Sequence, residues 1–425
     1  IVDQNWCDLQ QDLANRLQEV FAPPNWVPAR LPHRGLATLL VAGLVVFSDW
    51  IASNTALFGL SLHSEETLEE YAQRSYAQAK RSLSRLGLDG ARHLPTVREF
   101  EDAWPQFTPR PLQTASSKLL NDLRAPGLLI VEAPMGEGKT ELSIYAALAL
   151  QQDGACGFYN ALPTAATSNQ MYTRVCEFLN RFANGEVARL VHGASWLVDE
   201  PDSLAVVAND DEETLRYAAD WFRPRRRALL SPFAVGTVDQ AMMAALAVRF
   251  GFLRWFGLAG RALIIDEVHA YDTYMLAIIE RLLRWCGECH IPVVLLSATL
   301  PSRTRRQLET AYLGAAPDQE PPAIYPLLSY RGVDGASRFS QPVECAKQWE
   351  LEVELLPGLL GDAPAMAATA LELVADGGVA CILCNTVTTA QRVYEELERL
   401  PKDHHCEIVL FHARFTVGKR DEIER

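Results

Sequence analysis

The 425-residue sequence has no basic segment leading into an apolar run with a small-residue cleavage site, so no secretory leader is read and a cytoplasmic location is expected. A cysteine framework is missing too: nine cysteines, an odd number without regular spacing, suit reduced thiols rather than a disulfide scaffold. "CGECH" (286–290) has haem-attachment or zinc-like spacing but lies between a helical pattern and a strand, and is read as core packing. "CILC" (381–384) sits in a strand-like run whose side chains alternate faces, and is read the same way. The longest apolar run, "GLATLLVAGLVVF" (35–47), is shorter than the roughly 20 residues that cross a bilayer, so a buried helix and no membrane partner are expected. Solenoid-period repeats and low-complexity tracts are absent. Positive charge is scarce: 39 Lys and Arg against 53 Asp and Glu leave a net charge of −14, which excludes a generally basic nucleic-acid coat but not a local channel. The one dense basic cluster, Arg223, Arg225, Arg226 and Arg227, reads more readily as solvated surface than as a nucleic-acid track.

What is present is ordinary globular composition, 49% hydrophobic and 22% charged, in a chain long enough for two or three domains. Residues 1–93 read as helical, with Leu68, Tyr71, Ala72, Ser75, Tyr76 and Ala79 near a 3.6 period. A proline-bearing linker covers 94–111. From 112 to 315 the runs "GLLIVEA", "ACGFYNAL", "ARLVHG", "FAVGTV", "RALIIDE" and "PVVLLSAT" alternate with helical patterns, the signature of an α/β domain with a parallel sheet. Prolines and glycines break both periodicities over 316–348, read as an interdomain linker. Over 349–425, "WELEVELL" and "VACILCNT" are strand-like and "TTAQRVYEELERL" is an amphipathic helix, so a second α/β domain begins there.

Between the strand "GLLIV" and a helix lies "EAPMGEGKTE", the context a phosphate-binding loop requires. Gly136 and Gly138 allow positive φ and close backbone approach, so amide N–H groups along Met135, Gly136, Glu137 and Gly138 can face phosphate oxygens at a helix N-terminus. Lys139 is expected to reach the β and γ phosphates and Thr140 to offer its hydroxyl to Mg²⁺. Ala133 at the first loop position only begins the turn. Hydrolysis also needs an acidic pair at another strand end, and "RALIIDEVHAYD" supplies Asp266 for Mg²⁺ and Glu267 to position the attacking water. With this loop, 112–315 reads as a RecA-like domain that binds ATP.

The loop resembles the A-x-x-G-x-G-K-T form of superfamily 2 helicases, and "DEVH" with "SATLP" (297–301) resembles their motifs II and III. The resemblance implies that Gln113 reads adenine, that Pro163 and Thr164 of "LPTAATSNQ" and Thr237 and Gln240 of "GTVDQAM" contact DNA, and that Ser297, Thr299 and His269 couple ATP state to domain movement. "LFHARF" resembles an opening motif of the partner domain, with His412 and Arg414 on the nucleic-acid backbone.

"VVFSDWIASN" (45–54), ahead of such a helicase, looks like the last metal-ligand motif of an HD nuclease domain, with Asp49 the ligand and Ser53 a polar support. Together these motifs resemble the CRISPR-associated helicase-nucleases of type I systems, an HD nuclease fused ahead of two RecA-like domains. The resemblance implies ATP-driven movement on single-stranded DNA, degradation dependent on a divalent transition metal, recruitment by a crRNA-guided effector complex, and a monomer. On this reading 1–93 is the C-terminal part of the HD domain and 349–425 the N-terminal part of the second RecA-like domain, so the chain looks like a central piece. The paired histidines and His-Asp motif of the nuclease are expected before Ile1, and the arginine finger is not found. His33 is a weak further metal candidate. Two alternatives stay open: a superfamily 2 DNA or RNA helicase without nuclease activity, and a catalytically incomplete binding module.

Overall fold

The computed structural model describes residues 4–21, 34–59, 66–86, 88, 97–121, 123, 125–151, 157–182, 188–191, 228–345, 352–399 and 406–424. His33 and the arginine cluster at 223–227 lie outside the described residues. The chain forms two compact units, residues 1–348 and 349–425.

In the first unit the six apolar runs become β1 (Gly127–Glu132), β2 (Phe158–Leu162), β3 (Ala188–Val191), β4 (Phe233–Thr237), β5 (Ala262–Ile265) and β6 (Val293–Ser297). They pair in parallel in the order β3-β4-β2-β5-β6-β1. Every residue in them is buried, as continuous apolar strands covered on both faces must be. The period of two divides the core between the faces: Leu128 and Ile130 of β1 join one apolar cluster, while Leu129 and Val131 join the other.

Within the segment expected as a linker over 316–348, residues 327–339 instead extend this sheet. There β7 (Leu327–Gly332) runs antiparallel to β1, and β8 (Ser337–Phe339) pairs with β7. Pro321, Pro322 and Pro326 precede β7, and Gly335 turns between the two strands, so the breakers punctuate strand ends rather than interrupt a strand. Arg331 of β7 is buried and paired with Glu309 of α11 (Ser302–Leu313), Nε to Oε1 at 2.9 Å. Its other nitrogens donate to Ser337 Oγ (2.8 Å) and the Gln319 carbonyl (2.6 Å).

The N-terminal zone forms α1 (Gln4–Phe21), α2 (Arg34–Ala52) and α3 (Leu68–Arg85), the last opened by a Thr67–Glu70 capping box. On α2, a Cβ added at Gly43 would fall 2.3 Å from Phe256 Cβ of α9 (Gly251–Leu258), so the glycine lets the two helices touch. Ile51, Leu57 and Leu86 share an apolar cluster with Leu230 and Leu253, which ties this zone to the sheet domain. The expectation of a buried helix is half right. Only one side of α2 meets α9, and Val41, Leu44 and Val45 on the other are 59%, 52% and 61% exposed. The helix also outruns the 35–47 stretch: Gly35–Ala52 is long and apolar enough to cross a membrane by length and composition, as core helices of soluble proteins can be.

The second unit contains α12 (Ala363–Leu373), α13 (Val387–Arg399) and α14 (Val417–Glu424), with Ala363, Ala367 and Val393 in a small core. Among the described residues, the strands expected in "WELEVELL" and "VACILCNT" are not seen: residues 352–356 and 379–384 pair with no ladder, and Val353 and Val379 are 85% and 98% exposed. Alternation yields a strand only where a neighbouring backbone supplies hydrogen bonds, and the described residues of this unit supply none.

The buried Arg331–Glu309 pair yields a prediction. Glu309→Ala strands a buried guanidinium and is expected to cost about 3–5 kcal/mol of stability in denaturant unfolding. A loss below about 1 kcal/mol, the range of an exposed pair, contradicts this placement of β7.

Candidate active site

Each phosphate-loop residue is placed by the step from β1 into α6 (Lys139–Ala149). Gly136 (φ 85°) and Gly138 (φ 75°) are left-handed, conformations that residues with a Cβ adopt at a cost. A Cβ on Gly138 would also fall 2.4 Å from Gln113 Nε2. Lys139 Nζ donates to the Ala133 carbonyl at 2.6 Å. Burial lowers the Lys139 pKa, while Glu267, Asp266 and Glu137 oppose the shift. The ammonium therefore lies within the field of the motif II acids. Thr140 is half-buried at the start of α6, Met135 is exposed at the loop tip, and Glu137 is buried.

Gln113, in α5 (Pro111–Leu120), is buried with both ends of its amide engaged. Oε1 accepts from the Arg110 N–H (2.9 Å) and Nε2 donates to the Gly138 carbonyl (3.2 Å). It ties α5 to the loop, and each end of the amide keeps a second hydrogen-bonding position.

The acids stand at the end of β5. The Asp266 N–H donates to the Ala161 carbonyl at 2.9 Å, continuing the ladder one residue past the strand. Glu267 then turns left-handed (φ 52°, ψ 46°), uncommon for a residue with a side chain. Its N–H donates to Asp266 Oδ1 at 2.8 Å, and the Tyr271 hydroxyl donates to the Asp266 carbonyl at 2.7 Å. Burial, with Glu267 next in effect, lifts the Asp266 pKa from 3.8 to about 6. Glu267 Oε2 is out of water without a hydrogen bond, 3.3 Å from His269 Nδ1. His269 Nδ1 is also 3.2 Å from Ser297 Oγ, and that hydroxyl donates to the Thr299 carbonyl at 2.7 Å. His269 Nδ1 thus stands between Glu267 and the Ser-Ala-Thr turn, whose Ala298 N–H also approaches it at 3.4 Å.

Sequence reasoning missed three supports. Arg305 of α11 makes a bidentate pair with Glu132, the last residue of β1 (2.6 and 2.8 Å), joining the helix after Ser-Ala-Thr to the strand that feeds the loop. The Tyr325 hydroxyl donates to the Ala298 carbonyl at 2.9 Å. Tyr271 is the third, and its only signal was its place in "DEVHAYD".

The remaining candidates are more dispersed. Pro163 and Thr164 precede α7 (Ala165–Phe182), where Thr164 Oγ1 accepts from the Thr167 N–H at 3.2 Å and the side chain is exposed. Thr237 is only 9% exposed, its carbonyl accepting from the Tyr159 hydroxyl at 3.0 Å, and Gln240 is half-buried. Thr164 thus presents its side chain to solvent and Thr237 largely does not. In the second unit His412 stacks on Phe415 at 4.1 Å between ring centroids, and Arg414 is exposed. Asp49 is exposed on α2 and accepts from Ser53 Oγ at 3.3 Å. Among the described residues no three His, Cys, Asp or Glu side chains group to hold a metal. Cys286 is buried and Cys289 half-buried, both free and both with burial-raised pKa, so "CGECH" serves packing.

Three family models match the chain: "Cas3, HD domain" over residues 2–58, "DEAD/DEAH box helicase" over 111–308, and "CRISPR-associated nuclease/helicase Cas3, C-terminal" over 376–425. A CRISPR-associated endonuclease/helicase Cas3 of Thermus thermophilus is 36% identical over 374 residues, 85% of this chain and 39% of that protein. The crystal structure of T. fusca Cas3-ATP superposes with a TM-score of 0.81 at 32% identity, covering 99% of this chain and 49% of that one. A chain of a CRISPR RNA-guided surveillance complex, pre-nicking, gives a TM-score of 0.62 at 30% identity, over 93% of this chain and 43% of that one. The chain thus spans two fifths to half the length of these relatives.

The raised Asp266 pKa has a measurable consequence. The folded protein keeps this proton to a higher pH than the unfolded chain does, so its contribution to stability is full below about pH 4 and is lost as pH rises towards 6. Asp266→Asn cannot ionise. In metal- and nucleotide-free buffer it is expected to melt roughly 2–4 °C above the wild type at pH 7, with the gap narrowing towards pH 5. A variant that melts below the wild type at pH 7 contradicts the assignment.

Proposed function

Because the chain belongs to the CRISPR-associated Cas3 nuclease/helicase family, we propose that residues 112–345 form an ATP-hydrolysing motor that moves along single-stranded DNA. The observation that carries this reading is the convergence of Lys139, Asp266 and Glu267 at one sheet edge, with Glu267 Oε2 buried beside His269 Nδ1.

The residues fit Mg²⁺·ATP. The left-handed glycines free the loop amides for phosphate oxygens, and Lys139 exchanges the Ala133 carbonyl for the β and γ phosphates. Thr140 and Asp266 would hold Mg²⁺, which when bound spreads the charge of the transferring group. Glu267 orients the attacking water. His269, Ser297 and Thr299 carry the state of that water to the Ser-Ala-Thr turn, which β6 and the Arg305–Glu132 pair join to the loop. Thr164, on the exposed rim, is the stronger of the two threonine candidates for the DNA backbone.

The nuclease half is proposed more narrowly. Asp49 offers one carboxylate steadied by Ser53, and the described residues bring no second and third metal ligand to it. One carboxylate does not hold a catalytic metal, so cleavage needs ligands beyond the described residues. A metal-dependent nuclease and recruitment by a crRNA-guided effector complex are proposed from family membership, supported by likeness to a chain of a surveillance complex.

The two halves are separable by mutation of the full-length protein. Lys139→Ala is expected to lower ATP hydrolysis about 10²–10³-fold while metal-dependent nicking of exposed single strands survives. Asp49→Ala is expected to keep DNA-stimulated ATPase activity and lose cleavage. Phosphate release and strand cleavage, measured for both variants with divalent metal supplied, decide. An Asp49→Ala protein that cleaves at the wild-type rate removes the nuclease assignment of Asp49 and favours the helicase-only reading.

A further inference from the structure

The peptide between Asp266 and Glu267 is held at both of its polar ends. Its N–H donates to Asp266 Oδ1 at 2.8 Å, and its carbonyl accepts from the Tyr271 hydroxyl at 2.7 Å. The orientation of this peptide sets φ of Glu267, which is left-handed at 52°. A residue with a Cβ pays strain in that region and stays there only where its surroundings over-determine it. Tyr271 is well placed to do so. The short turn Val268–Ala270 brings it back under the peptide, and its ring is 6% exposed within the apolar cluster that also holds Val268.

We propose that Tyr271 is a positioning residue for hydrolysis: its hydroxyl locks the Asp266–Glu267 peptide and so keeps the Glu267 carboxylate aimed at His269 and the phosphate loop. The inference rests on the nucleotide-hydrolysis reading above. Nucleotide binding belongs to the loop, Lys139 and Thr140, with Asp266 contributing its carboxylate, whereas Tyr271 bonds to the Asp266 backbone carbonyl. Loss of the hydroxyl should therefore affect turnover and leave affinity alone.

Tyr271→Phe keeps the ring in its pocket and removes one oxygen. In the full-length protein it is expected to lower kcat for ATP at least about tenfold while the affinity for a non-hydrolysable Mg²⁺·ATP analogue stays within about twofold. The distinguishing readout is the cycle with Glu267→Gln: once the carboxylate is gone, Tyr271→Phe should cost nothing further, because both changes remove the same function. Multiplying losses in the double variant, or kcat and affinity falling together, overturn the proposal and leave Tyr271 a structural residue. A Tyr271→Phe kcat within about twofold of wild type overturns it as well. If the wild-type protein itself fails to bind the analogue, it is the nucleotide-site reading that falls, which the binding arm detects separately.

Discussion

The parallel pairing of β1 with β6, in which Glu132 lies opposite Ser297, governs the geometry of everything at the sheet edge. Parallel strands are joined by crossovers that return the chain to the same starting side, so their following loops gather at the other. The phosphate loop leaves β1 one residue after Glu132, and the Ser-Ala-Thr turn begins at its ladder partner. β5 lies on the other side of β6, with Ile265 opposite Leu295, and delivers Asp266 and Glu267 to the same edge. A slip of one residue between β1 and β6 would invert the faces of β1 and break the Glu132–Arg305 clamp.

Within this frame the site concentrates features that do not favour stability. Asp266 is lifted towards its neutral form, Lys139 is partly desolvated, Glu267 sits in a strained backbone region, and one of its oxygens is buried beside His269. Such departures gather where chemistry is done, because a surrounding core can hold them in place. Here that core is the pair of apolar clusters on the two faces of the sheet, and Tyr271, which hydrogen-bonds to the Asp266 backbone, grows out of it.

The sequence was legible where one short segment carries a whole feature. Six continuous apolar runs announce six buried strands, and a glycine-lysine-threonine loop or an acidic pair after a strand is local chemistry. It was less legible where partners are distant. β7 was hidden because its prolines lie just outside the strand, and the Arg331–Glu309 and Arg305–Glu132 pairs join residues that no spacing rule connects. The apolar run in "VACILCNT" misled for the converse reason: the pattern states what a strand would bury, not that a ladder partner is there. The outer face of α2 misled in the same way, since an apolar composition does not specify how many neighbours cover it. Gln113 was recognised by its place ahead of the loop, but its bonds to Arg110 and Gly138 emerge only in three dimensions.

The central claim is that the step from β1 into α6 is a triphosphate site whose lysine, bonded here to the Ala133 carbonyl, transfers to the ligand. Equilibrium titration of residues 1–425 with a fluorescent ATP analogue in Mg²⁺, for the wild type and Lys139→Ala, tests it most directly. The account predicts saturable binding to the wild type, weakened at least tenfold by the substitution, or about 1.4 kcal/mol. Equal affinity in the two proteins would contradict it.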